Sequence, residues 1–210
     1  MIAVLGEADA SSLEHCLATG GVAVFPADTV YGVCCDPDDA TAARRLYQLK
    51  GRPPQRPAAV MFFALEHALE SLPELEDAVL GALHALLPGP VTLLLGNPRR
   101  RFAAACAGDR DTLGLRVPLL SAQLRALAGV GRPLLQSSAN LSGEPDARVL
   151  ADVPARLRDG ADLVLDGGPL PGTPSTVIDL REYAARGEWR VLREGALAPA
   201  LVRERLEPLR

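Results

Sequence analysis

The stretch VAVFPADTVYG at residues 22–32 changes from apolar to polar character in a way that decides the fold class. Its first four residues form a short, β-prone apolar run, which predicts a buried strand. The polar residues 26–32 follow, and we expect them to form a loop at the carboxyl end of that strand. Open α/β sheets bind ligands beside such strand ends, so this loop is a candidate part of a binding site.

On both sides of this stretch, helical and strand-like segments alternate. Apolar periodicity and capping residues predict helices at residues 13–19 after Ser11-Ser12, 40–49 after Asp38, 65–71, 75–87, 121–128, after Asp152 and Pro154, and at 198–206. Short apolar runs predict strands at residues 1–5, 58–63, 91–95, 113–117, around 134–135, and at 162–165, 175–180 and 189–192. The order predicts an α/β fold in which helices flank a twisted mixed or parallel sheet, with the last two strands paired at its end.

Length and composition favour one domain over residues 1–210. A chain of 210 residues with 48% hydrophobic content can bury one sizeable core. The formal net charge of −4 argues against a protein that coats nucleic acid, since such proteins are usually basic. We therefore expect any contact with nucleic acid to be local.

The four cysteines do not form a metal or disulfide pattern. Cys16, Cys34, Cys35 and Cys106 contain no C-x-x-C pair, and adjacent cysteines do not bridge easily. The N-terminus shows no signal peptide, and no apolar run reaches the roughly 18 residues of a membrane span. These features favour a cytoplasmic protein in a reducing compartment, with no membrane contact and no protein-held metal.

Several enzyme classes are excluded by missing motifs. The only lysine is followed by Gly51, so there is no Walker A loop, and neither protein kinase motifs nor G-x-G-x-x-G, G-x-S-x-G and H-E-x-x-H are present. The three histidines are scattered over predicted helices, which makes a Ser-His-Asp hydrolase a weak hypothesis. A Schiff base on the lysine is disfavoured because the residue lies in an Arg-containing loop rather than an apolar pocket.

Lys50 is unusual because it is the only lysine among 22 basic residues, the others being arginine. It lies in the loop Lys50-Gly51-Arg52, just past a predicted helix. Lysine offers a compact ammonium, whereas arginine offers a flat fork, so the retained lysine favours a site that holds several phosphate oxygens. A cation at a helix end, stabilised by the helix dipole, is the simpler alternative.

Polar residues recur where strands are predicted to end. These clusters are Asp28 to Tyr31, Lys50-x-Arg52, Thr112 with Arg116, Ser138-x-Asn140, Ser175-Thr176 and Arg193. Each alone is explained by a turn, a cap, a core aromatic or a solvated strand end. Together they predict a concave, positively charged cavity for a multiply anionic ligand, such as a nucleotide triphosphate with a carboxylate co-substrate.

Taken in order, these motifs resemble the YrdC/TsaC family of threonylcarbamoyl-AMP synthases. Lys50-Gly51-Arg52 with Ser138-Ala139-Asn140 is similar to the family's K-x-R and S-x-N signature, and residues 26–32 resemble its P-T-[DE]-T-x-Y-G segment. The other ordered matches are PGPVT at 88–92, LRVP at 115–118, STV at 175–177 and LR-x-G at 192–195. The resemblance covers about residues 12–200 and is to the single-domain bacterial form.

The resemblance implies an enzyme that joins L-threonine, bicarbonate and ATP into L-threonylcarbamoyladenylate and pyrophosphate. Its product would pass to a tRNA threonylcarbamoyl-transferase complex of the TsaD/TsaB/TsaE type, for modification of adenosine 37, and a weak contact with tRNA itself is allowed. Mg²⁺ is expected to accompany ATP, held mainly by phosphates and water. The implied fold is a twisted α/β sheet around a concave, positively charged cavity.

Roles follow for the residues that match the motifs. Lys50 and Arg52 are the implied catalytic residues. The ATP-binding set is Lys50, Arg52, Thr112, Ser138, Asn140 and Arg193. The threonine-binding set is Thr29, Tyr31, Arg116 and Ser175, with Arg116 on the carboxylate.

The sequence departs from the family pattern at three places and leaves alternatives open. Ala27 stands where the family has its first threonine, Met61 lies near the place of a histidine that some members have after the K-x-R loop, and Glu194 replaces a usual proline. A paralogous subgroup shares Arg193-Glu194-Gly195 but has lost the K-x-R and S-x-N residues, so the main alternative is a non-catalytic RNA- or nucleotide-binding paralogue. A carbamoyl-adenylate activity like that of hydrogenase maturation proteins is a third alternative.

Overall fold

A computed structural model describes residues 4–51, 53, 56–106 and 108–209 of the chain. Within them the strands are Ala23–Pro26 (β1), Tyr31–Cys35 (β2), Ala59–Met61 (β3), Val91–Gly96 (β4), Thr112–Arg116 (β5), Leu134–Ser138 (β6), Leu163–Val164 (β7), Thr176–Asp179 (β8) and Arg190–Arg193 (β9). The α-helices are Glu7–Ala18 (α1), Ala40–Leu49 (α2), Leu65–Ser71 (α3), Asp77–Leu86 (α4), Ala103–Cys106 (α5), Ala155–Gly160 (α6), Tyr183–Arg186 (α7) and Pro199–Leu206 (α8). Short 3₁₀ segments cover Ala122–Gly129, Leu150–Asp152 and Glu207–Leu209.

All the described strands belong to one mixed sheet, in the order β7-β1-β2-β6-β3-β5-β4-β8-β9. The pairs β1–β7, β3–β5 and β4–β8 are parallel, and the other neighbours are antiparallel. This confirms the predicted α/β class with a mixed sheet. The last two strands pair at one edge of the sheet, as the sequence predicts.

The strand β2 is the main element that the sequence prediction missed. Residues 26–32 were expected to be a loop, but Tyr31 and Gly32 already belong to β2, which pairs with β1 as a hairpin. All five residues of β2 are buried, so the strand lacks the apolar–polar alternation that marks a half-exposed strand. The connecting turn therefore shrinks to residues 27–30.

Three predicted boundaries also change. Helix α1 begins at Glu7, so Ser11-Ser12 lies inside it, and the carboxylate of Asp9 accepts from the Gly6 N–H at 2.8 Å. Acidic residues in the first turn favour this earlier start. Helix α2 is capped by Asp39 rather than Asp38, since Asp39 accepts from the backbone of the first turn. Of the strand predicted at residues 1–5, residues 1–3 lie outside the described part, and Val4 and Leu5 are not in a strand.

The buried apolar residues of the strands and helices form one core. Helix α1 contacts the segment Ala122–Gly129, and α4 packs against α7 and α8. Large side chains that are fully buried include Phe25, Phe62, Leu83 and Leu93. No helix among the described residues is long and apolar enough to cross a membrane.

Candidate active site on the face of the sheet

A cavity of about 400 Å³ lies over one face of the central strands. Strand β4 shows how the sequence builds it: Val91, Leu93 and Leu95 are buried beneath the sheet, while Thr92 and Leu94 turn to the cavity. The period of two in a strand places alternate residues on opposite faces. The cavity therefore lies on the face of the sheet, and Arg116, Ser138 and Arg193 reach it as the last residues of β5, β6 and β9.

Small residues open the floor of this cavity. Gln136, Ala59, Gly114 and Leu94 are successive cross-strand partners on β6, β3, β5 and β4. The two middle positions have little or no side chain, so a space remains between Gln136 and Leu94. A Cβ added to Gly114 would lie 3.4 Å from the Ala58 carbonyl oxygen, in ordinary contact, so backbone crowding does not demand glycine there. The role of this glycine is to leave space in the cavity, because it has no side chain to fill it.

The cavity brings together five of the site residues named from the sequence. They are Thr112, Arg116, Ser138, Ser175 and Arg193. Four others lie next to it without being part of its lining: Thr29, Tyr31, Lys50 and Asn140. Arg52, paired with Lys50 in the sequence prediction, lies outside the described residues.

Arg116 is buried on the cavity floor and held from behind by the β1–β2 turn. Its guanidinium donates to Asp28 Oδ1 at 2.7 Å and to Thr29 Oγ1 at 3.3 Å, and Asp28 Oδ2 accepts from the Leu119 N–H. The side chains of Arg116 and Asp28 are only 5% and 3% exposed. The sequence prediction placed Thr29 near the amino acid substrate, and the structure places it against Arg116.

Burial acts against both charges of this pair. It lowers the pKa of Arg116, which the Asp28 carboxylate opposes, and the like charge of Arg193 lowers that pKa further. It also raises the pKa of Asp28, against the attraction of Arg116. Arg116 and Arg193 repel each other, and of these two arginines only Arg116 is bonded to the Asp28 carboxylate, so this end of the cavity is favourable for an anion.

Lys50 is a buried residue whose ammonium donates hydrogen bonds to the turn after β6. The side chain is 1% exposed, and Nζ donates to the Ser138 carbonyl oxygen, to the Asn140 carbonyl oxygen at 2.8 Å and to Asn140 Oδ1 at 3.2 Å. Ser138 Oγ also donates to Asn140 Oδ1 at 2.6 Å. Lys50 and Ser138-x-Asn140, which the sequence motifs pair, are thus in contact, because the Lys50 ammonium donates to a cluster of carbonyl oxygens in this turn, here called the carbonyl clasp.

Arg193 and Ser175 form a polar corner at the β8–β9 edge. Arg193 donates to the Ser175 carbonyl oxygen at 2.8 Å and to Ser175 Oγ at 3.2 Å. The Ser175 hydroxyl lies 2.8 Å from Thr92 Oγ1. At the other end of the cavity, Arg181 donates to Thr112 Oγ1 at 3.4 Å while paired with Asp179.

Gly195 lets the backbone of residues 174–175 pack closely against the end of β9, and this close approach can be tested. A Cβ at Gly195 would overlap the Pro174 carbonyl oxygen and come within 2.6 Å of the Ser175 backbone carbon. We expect Gly195→Ala to lower the free energy of unfolding by about 1–3 kcal/mol, as overpacking does, measured by denaturant unfolding. Gly96→Ala is the matched control, since nothing lies within 4 Å of its added Cβ; equal losses in both variants would contradict the close approach.

Tyr31 is buried and ties the β1–β2 hairpin to the loop after β7. Its hydroxyl lies 2.9 Å from Asp166 Oδ1 and 3.0 Å from the Gly168 carbonyl oxygen, and it accepts from the Gly167 N–H at 3.1 Å. Burial, with the Asp166 carboxylate, raises the pKa of the Tyr31 hydroxyl well above its ordinary value. The hydroxyl therefore stays neutral, and its hydrogen bonds hold in place the turn that carries Asp28.

The tie can be tested with Tyr31→Phe. The change leaves the buried Gly167 N–H without its acceptor, so we expect unfolding free energy to fall by about 1–3 kcal/mol. Thermal and denaturant unfolding measure the loss. Tyr183→Phe is the control, because the Tyr183 hydroxyl is buried with no hydrogen-bond partner among the described residues. If Tyr31→Phe lowers the unfolding free energy no more than Tyr183→Phe does, the hydrogen bonds of the Tyr31 hydroxyl contribute nothing to stability.

Three residues of the site were missed or undervalued in the sequence. Gln136 lines the cavity, and its signal was a polar residue inside the buried strand LLQSS. Thr92 lies in the matched segment PGPVT and at an alternating position of VTLLLG, but neither signal gave it a role. Asp28 was noticed in its cluster but given no role, since its partner Arg116 is 88 residues away.

A larger groove of about 630 Å³ lies elsewhere, beside α1 and α2, and is a weaker candidate. Its arginine, Arg45, is already paired with Asp162 at 2.6 Å. The hydroxyls of Ser12 and Thr19 donate to carbonyls of their own helix. These side chains of the groove are thus engaged within the protein, whereas the cavity on the sheet face presents the Gln136 amide to a ligand.

No group of three or more His, Cys, Asp or Glu side chains among the described residues could hold a metal ion. All four cysteines are free and buried. Burial raises the pKa of each thiol, most strongly at Cys34, so these cysteines are poor nucleophiles. The chemistry of the cavity therefore rests on its arginines, hydroxyls and amides.

The fold and the cavity define an α/β protein whose mixed sheet presents an arginine-lined pocket for an anionic ligand. Residues 15–195 match the Sua5/YciO/YrdC family, whose description is "Telomere recombination", and the chain belongs to that family. This confirms the resemblance drawn from the K-x-R and S-x-N motifs.

Relatives with assigned names agree with this placement. The chain is 34% identical to the threonylcarbamoyl-AMP synthase of Stutzerimonas stutzeri over 183 residues, 85% of this chain and 96% of the relative. It is 30% identical to that of Idiomarina loihiensis over 164 residues, 76% of this chain and 86% of the relative. Both relatives are matched over most of their length.

Solved structures show the same fold. Sua5 of P. abyssi complexed with L-threonine superposes with a TM-score of 0.81 at 28% identity, covering 96% of this chain and 58% of that chain. The chain thus spans little more than half of that Sua5. YciO of E. coli superposes with a TM-score of 0.80 at 24% identity, covering 95% of both chains, which supports the fold alone.

Proposed function

We propose that this chain is a threonylcarbamoyl-AMP synthase that makes L-threonylcarbamoyladenylate and pyrophosphate from L-threonine, bicarbonate and ATP. The observation that carries the proposal is Arg116, a buried guanidinium braced by Asp28 on the floor of a cavity that also contains Arg193 and several hydroxyls. A braced arginine suits a planar carboxylate, and the second arginine suits a phosphate. The threonine-bound P. abyssi Sua5 and the named relatives support the same substrates.

The reaction needs no covalent enzyme intermediate. Bicarbonate takes up a proton and loses water to give CO₂, which the amine of threonine captures as a carbamate with release of a proton. A carbamate oxygen then attacks the α-phosphorus of ATP, and the bond from that phosphorus to pyrophosphate breaks. Catalysis then consists of positioning the two substrates and neutralising charge on the leaving group. This agrees with a cavity of cations and neutral hydroxyls.

We assign roles along the length of the cavity. Arg116 would hold the threonine carboxylate, with Ser175 nearby and with Thr29 and Tyr31 supporting the floor. Thr112, Ser138 and Arg193 would contact the nucleotide, and Asn140 would keep the turn after β6 in shape. Lys50 and Arg52 would neutralise the triphosphate, for which the Lys50 ammonium must exchange one of its carbonyl partners for a phosphate oxygen.

Mg²⁺ would enter with ATP and supply positive charge to the triphosphate. Asp109 and Asp146 line the cavity, and their carboxylates would accept hydrogen bonds from water bound to the ion, since Mg²⁺ usually keeps several of its waters. Phosphates and water would then hold most of its coordination sphere.

The product would serve tRNA modification. It is a mixed anhydride that transfers its threonylcarbamoyl group, which suits delivery to a transferase complex of the TsaD/TsaB/TsaE type acting at adenosine 37 of tRNA. A weak contact of this chain with tRNA, and a cytoplasmic location, belong to the same proposal.

One incubation tests the proposal. The protein is mixed with ATP, bicarbonate, Mg²⁺ and each amino acid in turn, and pyrophosphate and the adenylate are measured, the latter by mass. We expect both products with threonine and neither without bicarbonate. Binding of RNA or nucleotide without turnover would instead support the non-catalytic paralogue. A parallel incubation replaces bicarbonate and the amino acid with carbamoyl phosphate, and an adenylate formed only there would support the carbamoyl-adenylate alternative.

A further inference from the structure

Gln136 is a nearly buried amide inside the cavity for which the family motifs give no role. It is the third residue of β6, with Cys34 and Ala59 as its cross-strand partners. The residue is only 4% exposed, yet it lines the cavity. A carboxamide placed in a buried strand carries a desolvation cost unless its polar atoms find partners.

Arg116 fixes which way this amide faces. The guanidinium donates from Nη1 to Gln136 Oε1 at 3.3 Å. Arginine has donors and no acceptor, so only the amide oxygen of Gln136 can face it. The orientation of the carboxamide is therefore decided by chemistry, and its Nε2 group points away from Arg116 Nη1.

The described residues supply one partner for this amide and not the other. Oε1 is bonded to Arg116, whereas Nε2 has no acceptor among the described residues. A Cβ added to Gly32 would lie 3.3 Å from Nε2, so the amide lies over a glycine that offers no side chain. Two N–H donors are thus left at the wall of a cavity, next to Arg116, whose Nε also has no partner in the described part of the chain.

We propose that Gln136 is a specificity-determining residue whose Nε2 donates a hydrogen bond to the substrate carboxylate held by Arg116. The small residues Ala59 and Gly114 leave the floor beside Gln136 open, so a ligand oxygen can reach it. A donor oriented before binding suits an anionic acceptor, and an amide adds no further positive charge beside Arg116. The inference rests on the proposed function, because it assigns a second contact to the same amino acid.

Two substitutions separate the donor from the support of Arg116. Gln136→Met keeps the length of the side chain and removes both polar groups. Gln136→Glu keeps the oxygen that Arg116 binds and replaces the donor with a carboxylate oxygen. Gln123→Met, on the partly exposed segment Ala122–Gly129 away from the cavity, is the matched control.

The expected results are shifts in KM for threonine. Gln136→Met should raise it about tenfold or more, and Gln136→Glu about 10²-fold, with kcat and the KM for ATP little changed, because the contact is made equally in ground and transition states. Calorimetric binding should show the same loss for L-threonine and a much smaller one for L-threoninol, which has no carboxylate. Gln123→Met should match the wild type.

The outcomes distinguish this inference from the proposed function. Wild-type protein that neither binds nor converts threonine overturns both. Threonine-dependent turnover with a KM that Gln136→Met leaves unchanged overturns the inference alone. A wild-type KM in Gln136→Glu also overturns it, because Gln136 would then act only by orienting Arg116. If Gln136→Glu does not fold, Gln136→Met and the threoninol comparison still decide the question.

Discussion

Replacing Arg116 with alanine is expected to destabilise the protein and to abolish tight threonine binding. The side chain is buried in an ion pair with Asp28 at 2.7 Å. Removing one partner of such a pair leaves an uncompensated buried carboxylate, at a cost of about 3–5 kcal/mol. Denaturant unfolding measures this loss, and the KM for threonine measures the lost carboxylate contact.

A double substitution separates the two effects of Arg116. In Asp28→Asn with Arg116→Gln, no buried charge is left alone, so most of the stability should return. The threonine contact should stay lost, and we expect a threonine KM on the order of 10²-fold above wild type, the effect of losing a charge-assisted pair. A double variant with a normal KM for threonine would remove Arg116 from the amino acid site.

The fold class was predictable because it depends on local patterns. Short apolar runs alternate with capped helices along the chain, and this order alone favours helices around a mixed sheet. The edge hairpin of β8 and β9 was found for the same reason. Strand β2 was missed because it begins with Tyr31 and Gly32 at the end of a polar stretch, so it shows neither the uniform apolar run that marks β1 nor an alternation.

The position of the cavity was not predictable, because it depends on register. Gln136, Ala59, Gly114 and Leu94 come from four separate segments and become neighbours only when the strands pair. Single residues in these segments look ordinary: an alanine and a glycine give no functional signal. The sequence therefore named Arg116 and Ser138 from motifs and polar clusters and placed them at strand ends, where the structure has them, but it did not show which strands lie side by side.

The partners of the charged residues were equally hidden. Asp28 meets Arg116 across 88 residues of chain. Lys50 was singled out because it is the only lysine, and the structure shows backbone carbonyls as its partners. Every residue has a backbone carbonyl, so this clasp has no sequence signature beyond the turn residues Ser138 and Asn140.

Replacing Lys50 with methionine is expected to lower the rate of threonine-dependent pyrophosphate release by about 10²-fold or more, as loss of a preorganised donor does. Methionine keeps the apolar stem and removes the ammonium that holds Ser138 and Asn140. The carbonyl oxygens of the turn lose a charged donor, so unfolding free energy should also fall by at least about 1.5 kcal/mol. Pyrophosphate release and denaturant unfolding measure the two effects.

Arg44→Met is the matched control, because Arg44 is an exposed cation on the same helix as the residues that precede Lys50. It should leave both the rate and the stability near wild type. The split between KM and kcat then shows how Lys50 acts. If its ammonium only shapes the turn, the KM for ATP rises while kcat is kept; if it also neutralises the leaving pyrophosphate, kcat falls further than the KM change explains. A wild-type rate in Lys50→Met would show that the ammonium neither shapes the turn for ATP nor neutralises pyrophosphate. Lys50 would then be only a cation at a helix end, the simpler alternative given by the sequence.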